Sequence, residues 1–237
     1  MGTRWVPALV AALLAAVWLS VTRRRASARQ HKVFTIAELA LHDGEQRTPT
    51  LLSIMGEVFD VSAGPEFYNK GGGYAHFAAR DATLAFVTGE FERDLTDDVS
   101  SLRPAQLADI ANWVNETYHA KYIHVGVLGG GYFYDASGAR TPAAFEFDAA
   151  VVAERDRKAL RARDVEAFSR CSSRRTRTQH YVWCAPPNVP RRRKTHFDDD
   201  ERCACVDAPI ADADPESFAI YEGCPHDSKC FLPLPAT

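Results

Sequence analysis

Three tyrosines of the chain lie where a phenol could bind a ligand. Tyr68 and Tyr74 bracket the glycine triplet Gly71–Gly73, and Tyr122 directly follows Lys121. Because glycine has no side chain, the backbone of such a loop can approach a flat ligand closely. A phenolate oxygen can also coordinate ferric iron. The pattern therefore indicates a ligand site, with simple packing of the aromatic rings as the alternative.

All six cysteines lie in the C-terminal part of the chain. An even, clustered set that follows an apolar N-terminal segment is typical of a disulfide framework made in an oxidising compartment. Zinc is the alternative, but Cys203-x-Cys205 is tighter than the usual zinc-ligand spacing and no closely spaced histidine pair accompanies it. We therefore expect disulfides, with the pairing left open, among Cys171, Cys184, Cys203, Cys205, Cys224 and Cys230.

The segment before the tyrosines predicts a helix and a hairpin. Thr35-Ile36-Ala37-Glu38 has the capping-box pattern, in which the hydroxyl and the carboxylate each accept a hydrogen bond from a free backbone donor. A short helix should begin there. Residues 50–55 and 58–61 are largely apolar runs on either side of Gly56-Glu57, which is the pattern of a tight β-hairpin.

Two helices and two strands are predicted farther along the chain. Asp81 can cap a helix that ends at Gly89. Pro104 suits the first turn of a longer helix. Residues 122–127 and 132–134 predict strands on either side of a second glycine triplet. The longer helix is supported by apolar residues at helical spacing, which are Leu107, Ile110, Ala111, Val114 and Tyr118.

The N-terminal residues 5–21 form an apolar stretch that is followed at once by Arg23-Arg24-Arg25. As a helix the stretch would reach only about 25 Å, against a hydrocarbon core of about 30 Å. Residues 1–28 are therefore expected to be a secretory signal peptide or a signal anchor. The arginines favour a cytosolic chain by the positive-inside rule, whereas the cysteines favour an oxidising compartment. We give the cysteines more weight and expect secretion.

Charge is nearly balanced overall but uneven along the chain. The 28 basic and 31 acidic side chains give a net charge of −3, which argues against a nucleic-acid partner. A highly charged helix is expected over residues 144–170. Residues 171–197 then hold seven Lys and Arg and no acid. The run Arg191–Lys194 could bind heparin-like polymers or be a convertase site, and its prolines predict an irregular, solvated loop.

Several sequence blocks resemble the cytochrome b5-like haem-binding domain, and more narrowly the membrane-associated progesterone receptor (MAPR) family. The resemblance covers residues 34–130 and implies an α+β fold, followed by a helical linker over 144–170 and a small disulfide-rich region over 171–237. The blocks are Phe59-Asp60-Val61-Ser62-x-Gly64, Phe67-Tyr68, Gly72-Gly73-Tyr74-x-x-Phe77-Ala78-x-Arg80-Asp81-Ala82-Thr83 and Lys121-Tyr122-x-x-Val125-Gly126.

The resemblance also implies roles for the site residues. Tyr74 matches the axial ligand of a ferric, tyrosine-ligated haem. Tyr68, Lys121 and Tyr122 match the groups that hydrogen-bond the ligand tyrosine or the haem propionates. This differs from electron-carrying cytochrome b5, which holds haem between two histidines.

The loop that matches the histidine-bearing motif of cytochrome b5 is Asn69-Lys70-Gly71-Gly72, without a histidine. His76 is the nearest substitute, and a distal-ligand role for it stays open as a minor alternative to a surface position. His119 and His124, on either side of Lys121-Tyr122, could equally face solvent.

The C-terminal region narrows the resemblance to one branch of the family, described as extracellular, haem-binding and promoting neuronal differentiation. The matching blocks are Val182-Trp183-Cys184, Val189-Pro190-Arg191-Arg192, Arg202-Cys203-x-Cys205-Val206 and Tyr221-x-Gly223-Cys224-Pro225. This implies a secreted, non-enzymatic haem protein that acts through an unknown extracellular or cell-surface protein partner.

Three other functions stay open. One is a haem protein retained in the endoplasmic reticulum membrane by an uncleaved N-terminal segment, where it would support haem-thiolate monooxygenases in sterol metabolism. Another is an electron carrier, which the missing histidine motif disfavours. The last is a haem-free interaction module in which the tyrosines only pack.

Overall fold

The computed structural model describes residues 31–224 and 228–233. The signal or anchor segment predicted over residues 1–28 lies outside them. Within the described ranges, no helix is both long enough and apolar enough to cross a membrane. The chain divides into two compact units, residues 1–148 and 149–237.

The first unit contains a mixed four-stranded sheet in the order β1-β4-β3-β2. Strand β1 pairs with β4 in parallel, and the other two pairings are antiparallel. The core beside it includes Phe34, Leu39, Leu51, Val58 and Leu128. The strands are β1 (Lys32–Phe34), β2 (Leu51–Ile54), β3 (Glu57–Asp60) and β4 (Ile123–Leu128).

Short helices connect these strands, and one longer helical segment precedes β4. The longer segment begins as α4, continues through a π-helical turn and ends in α5, so it is helical from residue 104 to residue 121. The helices are α1 (Ile36–Leu39), α2 (Pro65–Tyr68), a 3₁₀ turn (Ala75–Phe77), α3 (Thr83–Thr88), α4 (Pro104–Trp113), the π turn (Val114–Tyr118) and α5 (His119–Lys121).

The local predictions for this unit are mostly confirmed. The Thr35 hydroxyl accepts a hydrogen bond from the Glu38 amide at 3.0 Å and begins α1. Strands β2 and β3 form the predicted hairpin, and α4 begins at Pro104. Helix α3 ends at Gly89, whose φ of 74° is the left-handed conformation that glycine tolerates best. Asp81 lies one residue before the N-cap but accepts from the Thr83 amide at 2.9 Å.

The predicted strand over residues 132–134 is wrong. This segment forms only a single bridge between Tyr134 and Arg140. Its backbone is held by other groups, since the Tyr132 amide donates to the Asp97 carboxylate and the Thr141 amide donates to the Phe133 carbonyl. The three consecutive aromatic residues Tyr132, Phe133 and Tyr134 belong to a loop and not to a strand.

The second unit contains two three-stranded antiparallel sheets and most of a long charged helix. The helix matches the prediction for residues 144–170 to within a few residues. The sheets have the orders β10-β6-β5 and β8-β7-β9. The elements are α6 (Pro142–Ala167), β5 (Ser172–Arg175), β6 (His180–Trp183), β7 (Asn188–Thr195), β8 (Asp198–Asp207), α7 (Ala208–Ala213), β9 (Phe218–Ala219) and β10 (Lys229–Leu232).

The irregular loop predicted for the run Arg191–Lys194 is wrong, because the whole run lies within β7. Proline usually disfavours a central strand because it has no amide hydrogen. Here β9 pairs only with Arg192 and Arg193 of β7. Pro190 therefore faces a neighbouring strand only on the β8 side, and the sheet accommodates it.

The basic run of β7 is largely paired within the unit, so it is not a solvated loop. Arg191 is fully buried, with its guanidinium 3.7 Å from Asp212. Arg193 contacts Asp164 at 2.9 Å, and Arg192 contacts Glu201 at 3.5 Å. A convertase needs an extended, accessible substrate, and a run within a sheet does not offer one.

All six cysteines are paired, which agrees with the predicted disulfide framework. Two bridges tie β8 to the segments at the start of β5 and the end of β6, and the third closes a short loop before β10. The pairs are Cys171–Cys203, Cys184–Cys205 and Cys224–Cys230, with sequence separations of 32, 21 and 6.

Removing the Cys171–Cys203 bridge with paired serine substitutions should lower the free energy of unfolding of the second unit by about 2–5 kcal/mol. The bridge restricts a long loop of the unfolded chain, so its loss should cost more than the loss of Cys224–Cys230. Denaturant titration followed by circular dichroism measures both values. Equal losses for the two variants would contradict the argument from loop length.

Candidate functional site

A cavity of about 470 Å³ lies in the first unit. This volume is within the range of small-molecule and cofactor sites, about 300–1,000 Å³. All four residues predicted for the site line it, namely Tyr68, Tyr74, Lys121 and Tyr122. Their roles towards a ligand stay predictions. The other lining residues are Phe67, Phe77, Ala85, Phe86, Gly89, Phe91, Trp113, Thr117 and Tyr118.

Aromatic rings form much of the cavity wall. Phe77 and Phe86 stack with centroids 3.8 Å apart and planes 8° apart. Trp113 continues this wall, with centroids 5.3 Å from Phe86 and 5.0 Å from Tyr118. Such a surface offers flat apolar contacts to a flat ligand.

The glycine triplet folds back over α2 and positions Tyr74. The Tyr74 amide donates to the Phe67 carbonyl at 2.8 Å. A Cβ atom at Gly72 would collide with that same carbonyl group, and Gly71 has a φ of 86°. Both positions therefore require glycine. The Tyr74 ring packs against Phe67 with centroids 6.1 Å apart.

Tyr74 differs from the neighbouring tyrosines in its exposure. Its side chain is 48% exposed, whereas Tyr68, Tyr118 and Tyr122 are buried. Within the described part of the chain, the Tyr74 hydroxyl has no hydrogen-bond partner, although Tyr68 lies at a centroid distance of 6.2 Å. The Tyr74 oxygen is therefore available to a ligand in the cavity.

Tyr118 is a site residue that the sequence analysis assigned only to the face of a helix. Its hydroxyl lies 3.0 Å from the Tyr68 hydroxyl. Its carbonyl accepts from the Tyr122 amide at 2.8 Å. The available signal was its place on the apolar face of the helix, just before the Lys121-Tyr122 pair. π turns such as the one ending at Tyr118 occur often at functional sites.

The buried phenols are held in their neutral form. Burial raises the pKa of Tyr68, and its hydrogen bonds and repulsion with Tyr118 and Tyr122 raise it further. Burial also raises the pKa of Tyr118. A neutral phenol donates a hydrogen bond, so this pair can position a neighbouring oxygen without adding negative charge.

Lys121 supplies a positive charge beside the cavity. Its ammonium group lies 5.1 Å from the centroid of the Tyr122 ring and 5.5 Å from that of Phe67. Lys121 is exposed, at the end of α5. It could therefore pair with a carboxylate of a bound ligand at the solvent edge of the cavity.

The cavity lined by Tyr68, Tyr74, Tyr118 and Tyr122 is called the tyrosine cavity below. Among the described residues, histidines lie near it but none of them lines it. The His76 ring stacks on Phe91 with centroids 4.3 Å apart. His119 and His124 line a second cavity of about 800 Å³ together with His31 and Glu57. The His119 imidazole lies 2.8 Å from the Glu57 carboxylate. His119 is exposed, as the sequence analysis allowed, whereas His124 is partly buried.

Acidification below about pH 6.5 should destabilise the fold. Burial lowers the pKa of both His76 and His124, with Arg80 adding to the effect at His76. Below pH 6.5, the ordinary pKa of histidine, the unfolded chain binds protons at these positions more readily than the folded chain. The free energy of unfolding is therefore highest above pH 6.5 and falls as the pH drops below it. Denaturant titrations from pH 7.5 to 5.5 measure this.

The double variant His76→Gln/His124→Gln should show a flatter pH profile over the same range. The control is His196→Gln, an exposed histidine of the second unit, which should keep the wild-type profile. A double variant that loses stability on acidification as steeply as the wild type would contradict the assignment to these two imidazoles.

Comparison with known proteins identifies the relatives of the chain. Residues 35–129 match the family model described as cytochrome b5-like heme/steroid binding domain. An Arabidopsis thaliana protein whose solved structure is described as having a cytochrome b5 like fold is 29% identical. The match covers 42% of this chain and 93% of the Arabidopsis chain, with a TM-score of 0.38.

Full-length relatives extend the similarity into the C-terminal unit. Human neuferricin is 32% identical over 231 residues, which cover 86% of this chain and 87% of the human protein. Xenopus tropicalis neuferricin is 35% identical, covering 71% of this chain and 65% of the frog protein. Membrane-associated progesterone-binding protein 4 of Arabidopsis thaliana is 36% identical, covering 82% and 81%. The chain belongs to the neuferricin family, within the MAPR group of cytochrome b5-like proteins.

Proposed function

We propose that the chain is a secreted, non-enzymatic protein that binds ferric haem through Tyr74 and promotes neuronal differentiation. The observation that carries the haem assignment is the tyrosine cavity, in which a single exposed phenol lies beside three buried phenols, aromatic walls and one lysine. The family model and the neuferricin relatives support the same assignment.

The residues present suit a ferric haem. Bound haem would supply an iron that accepts an axial oxygen ligand. The Tyr74 hydroxyl has no hydrogen-bond partner within the described chain and faces this cavity. As a phenolate it would be a hard anionic donor, which favours ferric over ferrous iron. Histidine is not among the residues that line the cavity.

The other lining residues have distinct tasks in this proposal. Phe77 and Phe86 would pack against the apolar macrocycle. Tyr118 would donate its hydrogen bond to the Tyr68 hydroxyl, which would leave the Tyr68 proton free to donate to the Tyr74 oxygen. Lys121 would pair with a propionate.

This donor set supports a structural or sensing role for haem and disfavours an electron carrier. An anionic ligand that stabilises ferric iron lowers the reduction potential, whereas two imidazoles accept both oxidation states with little rearrangement. The cavity is lined by tyrosines and, among the described residues, by no histidine, so its lining does not offer the two imidazoles of an electron carrier. We therefore expect slow reduction by a cytochrome b5 reductase.

Three disulfides support a location in an oxidising compartment. Neuronal differentiation is proposed from the neuferricin relatives, and it would require a receptor or other protein at the cell surface. Expression in a mammalian secretory host tests the location. We expect the chain in the medium, cleaved near residues 22–28.

Hemin titration of the protein from the medium tests the haem assignment. We expect saturable binding of one hemin per chain, followed by absorption. Hemin uptake that never saturates would contradict a defined binding site.

A membrane-retained haem protein is the second candidate. The similarity to membrane-associated progesterone-binding protein 4 favours it, since the alignment covers 81% of that protein. In this case the N-terminal segment would stay uncleaved and hold the chain in the endoplasmic reticulum membrane, where it would support haem-thiolate monooxygenases. Resistance of the expressed chain to carbonate extraction, with none in the medium, would place this candidate first.

A further inference from the structure

The sheet β10-β6-β5 of the second unit presents one buried and one outward face. Side chains alternate between the two faces along each strand. On the buried face, Val182 and Cys230 are directly paired and belong to a core that also contains Cys224. The residues on the opposite face are Ser172, Arg174, Tyr181, Trp183, Lys229 and Phe231.

This outward face combines aromatic rings with positive charge. Tyr181 has centroids 5.5 Å from both Trp183 and Phe231, and Phe231 is 58% exposed. The Lys229 ammonium lies 4.0 Å from the Tyr181 centroid. Arg174 pairs with Tyr181 across the strands and is exposed. Tyr181 therefore has the Lys229 ammonium near its ring and Arg174 as its neighbour on β5.

The charges of this face are not neutralised within the described part of the chain. No ion pair of Arg174 or Lys229 occurs there, and Arg175 and Arg177 add exposed positive charge at the end of the same hairpin. By contrast, Arg191, Arg192 and Arg193 of β7 all contact carboxylates. The arginines of the run Arg191–Lys194 are thus less available to an anionic ligand than the cations of this outward face.

We propose that the outward face of β10-β6-β5 binds a sulfated polysaccharide. Sugar rings can lie flat against Tyr181, Trp183 and Phe231, while sulfate groups pair with Arg174 and Lys229. An arginine fork suits an oxygen anion of this kind.

A sulfated polysaccharide fits this face better than an anionic membrane does, because the chain is proposed to enter the secretory pathway. Anionic phospholipids give the cytoplasmic leaflet its negative surface potential. A chain with three disulfides belongs on the other side of that membrane. The proposal rests on the secretory location proposed above, but not on haem binding.

Heparin affinity chromatography of the secreted protein tests this proposal. The double variant Arg174→Gln/Lys229→Gln should elute at a clearly lower salt concentration than the wild type. The matched control Arg192→Gln/Lys194→Gln also removes two exposed charges, from β7, and should elute with the wild type. Phe231→Ser should elute earlier without any change in charge.

A charge-conserving variant separates loss of charge from loss of fold. Arg174→Lys/Lys229→Arg should keep most of the heparin affinity. Tyr74→Phe should elute with the wild type, so failure of the haem assignment leaves this result unaffected.

Equal shifts for the test and control doubles would overturn the proposal, because binding would then follow net charge alone. Binding to phosphatidylserine vesicles with no retention on heparin would also overturn it and would identify the face as a membrane surface.

Discussion

Tyr74→Phe should abolish most hemin binding. Phenylalanine keeps the ring that packs against Phe67, so the cavity wall is preserved and only the oxygen is lost. If this oxygen is the axial ligand, its removal eliminates the strongest single contact with the iron. Hemin titration of the secreted protein measures the effect, with the Soret band as the signal.

Tyr68→Phe provides a matched control within the same cavity. It removes the hydroxyl that bonds Tyr118 and that is proposed to donate to the Tyr74 oxygen. One such hydrogen bond is worth about 0.5–1.5 kcal/mol, or at most about a tenfold loss of affinity. Tyr181→Phe in the second unit should leave binding unchanged. A Tyr74→Phe variant with wild-type affinity and spectrum would refute the ligand assignment.

Asp81→Ala should be the most destabilising substitution near the site, with a loss of about 3 kcal/mol or more in the free energy of unfolding. The buried Asp81 carboxylate accepts from the Ser53 hydroxyl at 2.7 Å and from the Gly56 amide at 2.9 Å. It also accepts from the amide and hydroxyl of Thr83 at 2.9 and 2.5 Å. Alanine would leave these donors without an acceptor.

The Asp81 network also fixes the start of α3, which contributes Ala85 and Phe86 to the lining of the tyrosine cavity. Urea titration monitored by tryptophan fluorescence measures the loss. Asp43→Ala is the control, because Asp43 likewise accepts from two amides but at an exposed turn where water replaces it. A loss for Asp81→Ala no larger than that of the control would contradict the argument.

Local signals in the sequence predicted much of the first unit because neighbouring residues determine them. The Thr35 cap, the hairpin turn at Gly56 and the helix from Pro104 all depend on contacts within a few residues. Residues 132–134 failed because their partners, Asp97 and Thr141, are set by tertiary structure. A short run of consecutive aromatic residues cannot distinguish a strand from such a loop.

The second unit was harder to predict for the same reason. Three prolines and a run of arginines resemble a loop when considered alone. In the structure, β8 and β9 supply the ladder for β7, and carboxylates distant in sequence pair with its arginines, as Asp164 does with Arg193. Disulfides then hold β8 to the segments beside β5 and β6.

The candidate site was predicted through the glycine loop and the family motifs, which identified Tyr68, Tyr74, Lys121 and Tyr122. Those signals did not identify Tyr118, because helical periodicity assigns a buried tyrosine to the core without indicating that its hydroxyl has a polar partner. Only the packing of α2 against the π turn shows that Tyr118 meets Tyr68.

The electronic spectrum of the hemin-saturated protein tests the central claim most directly. One phenolate gives a weaker axial field than two imidazoles, so we predict a ferric, high-spin haem that is converted to a different spectrum, or lost, in Tyr74→Phe. A low-spin ferric spectrum of the two-histidine type, unchanged in Tyr74→Phe, would contradict the account and place the electron-carrier function first.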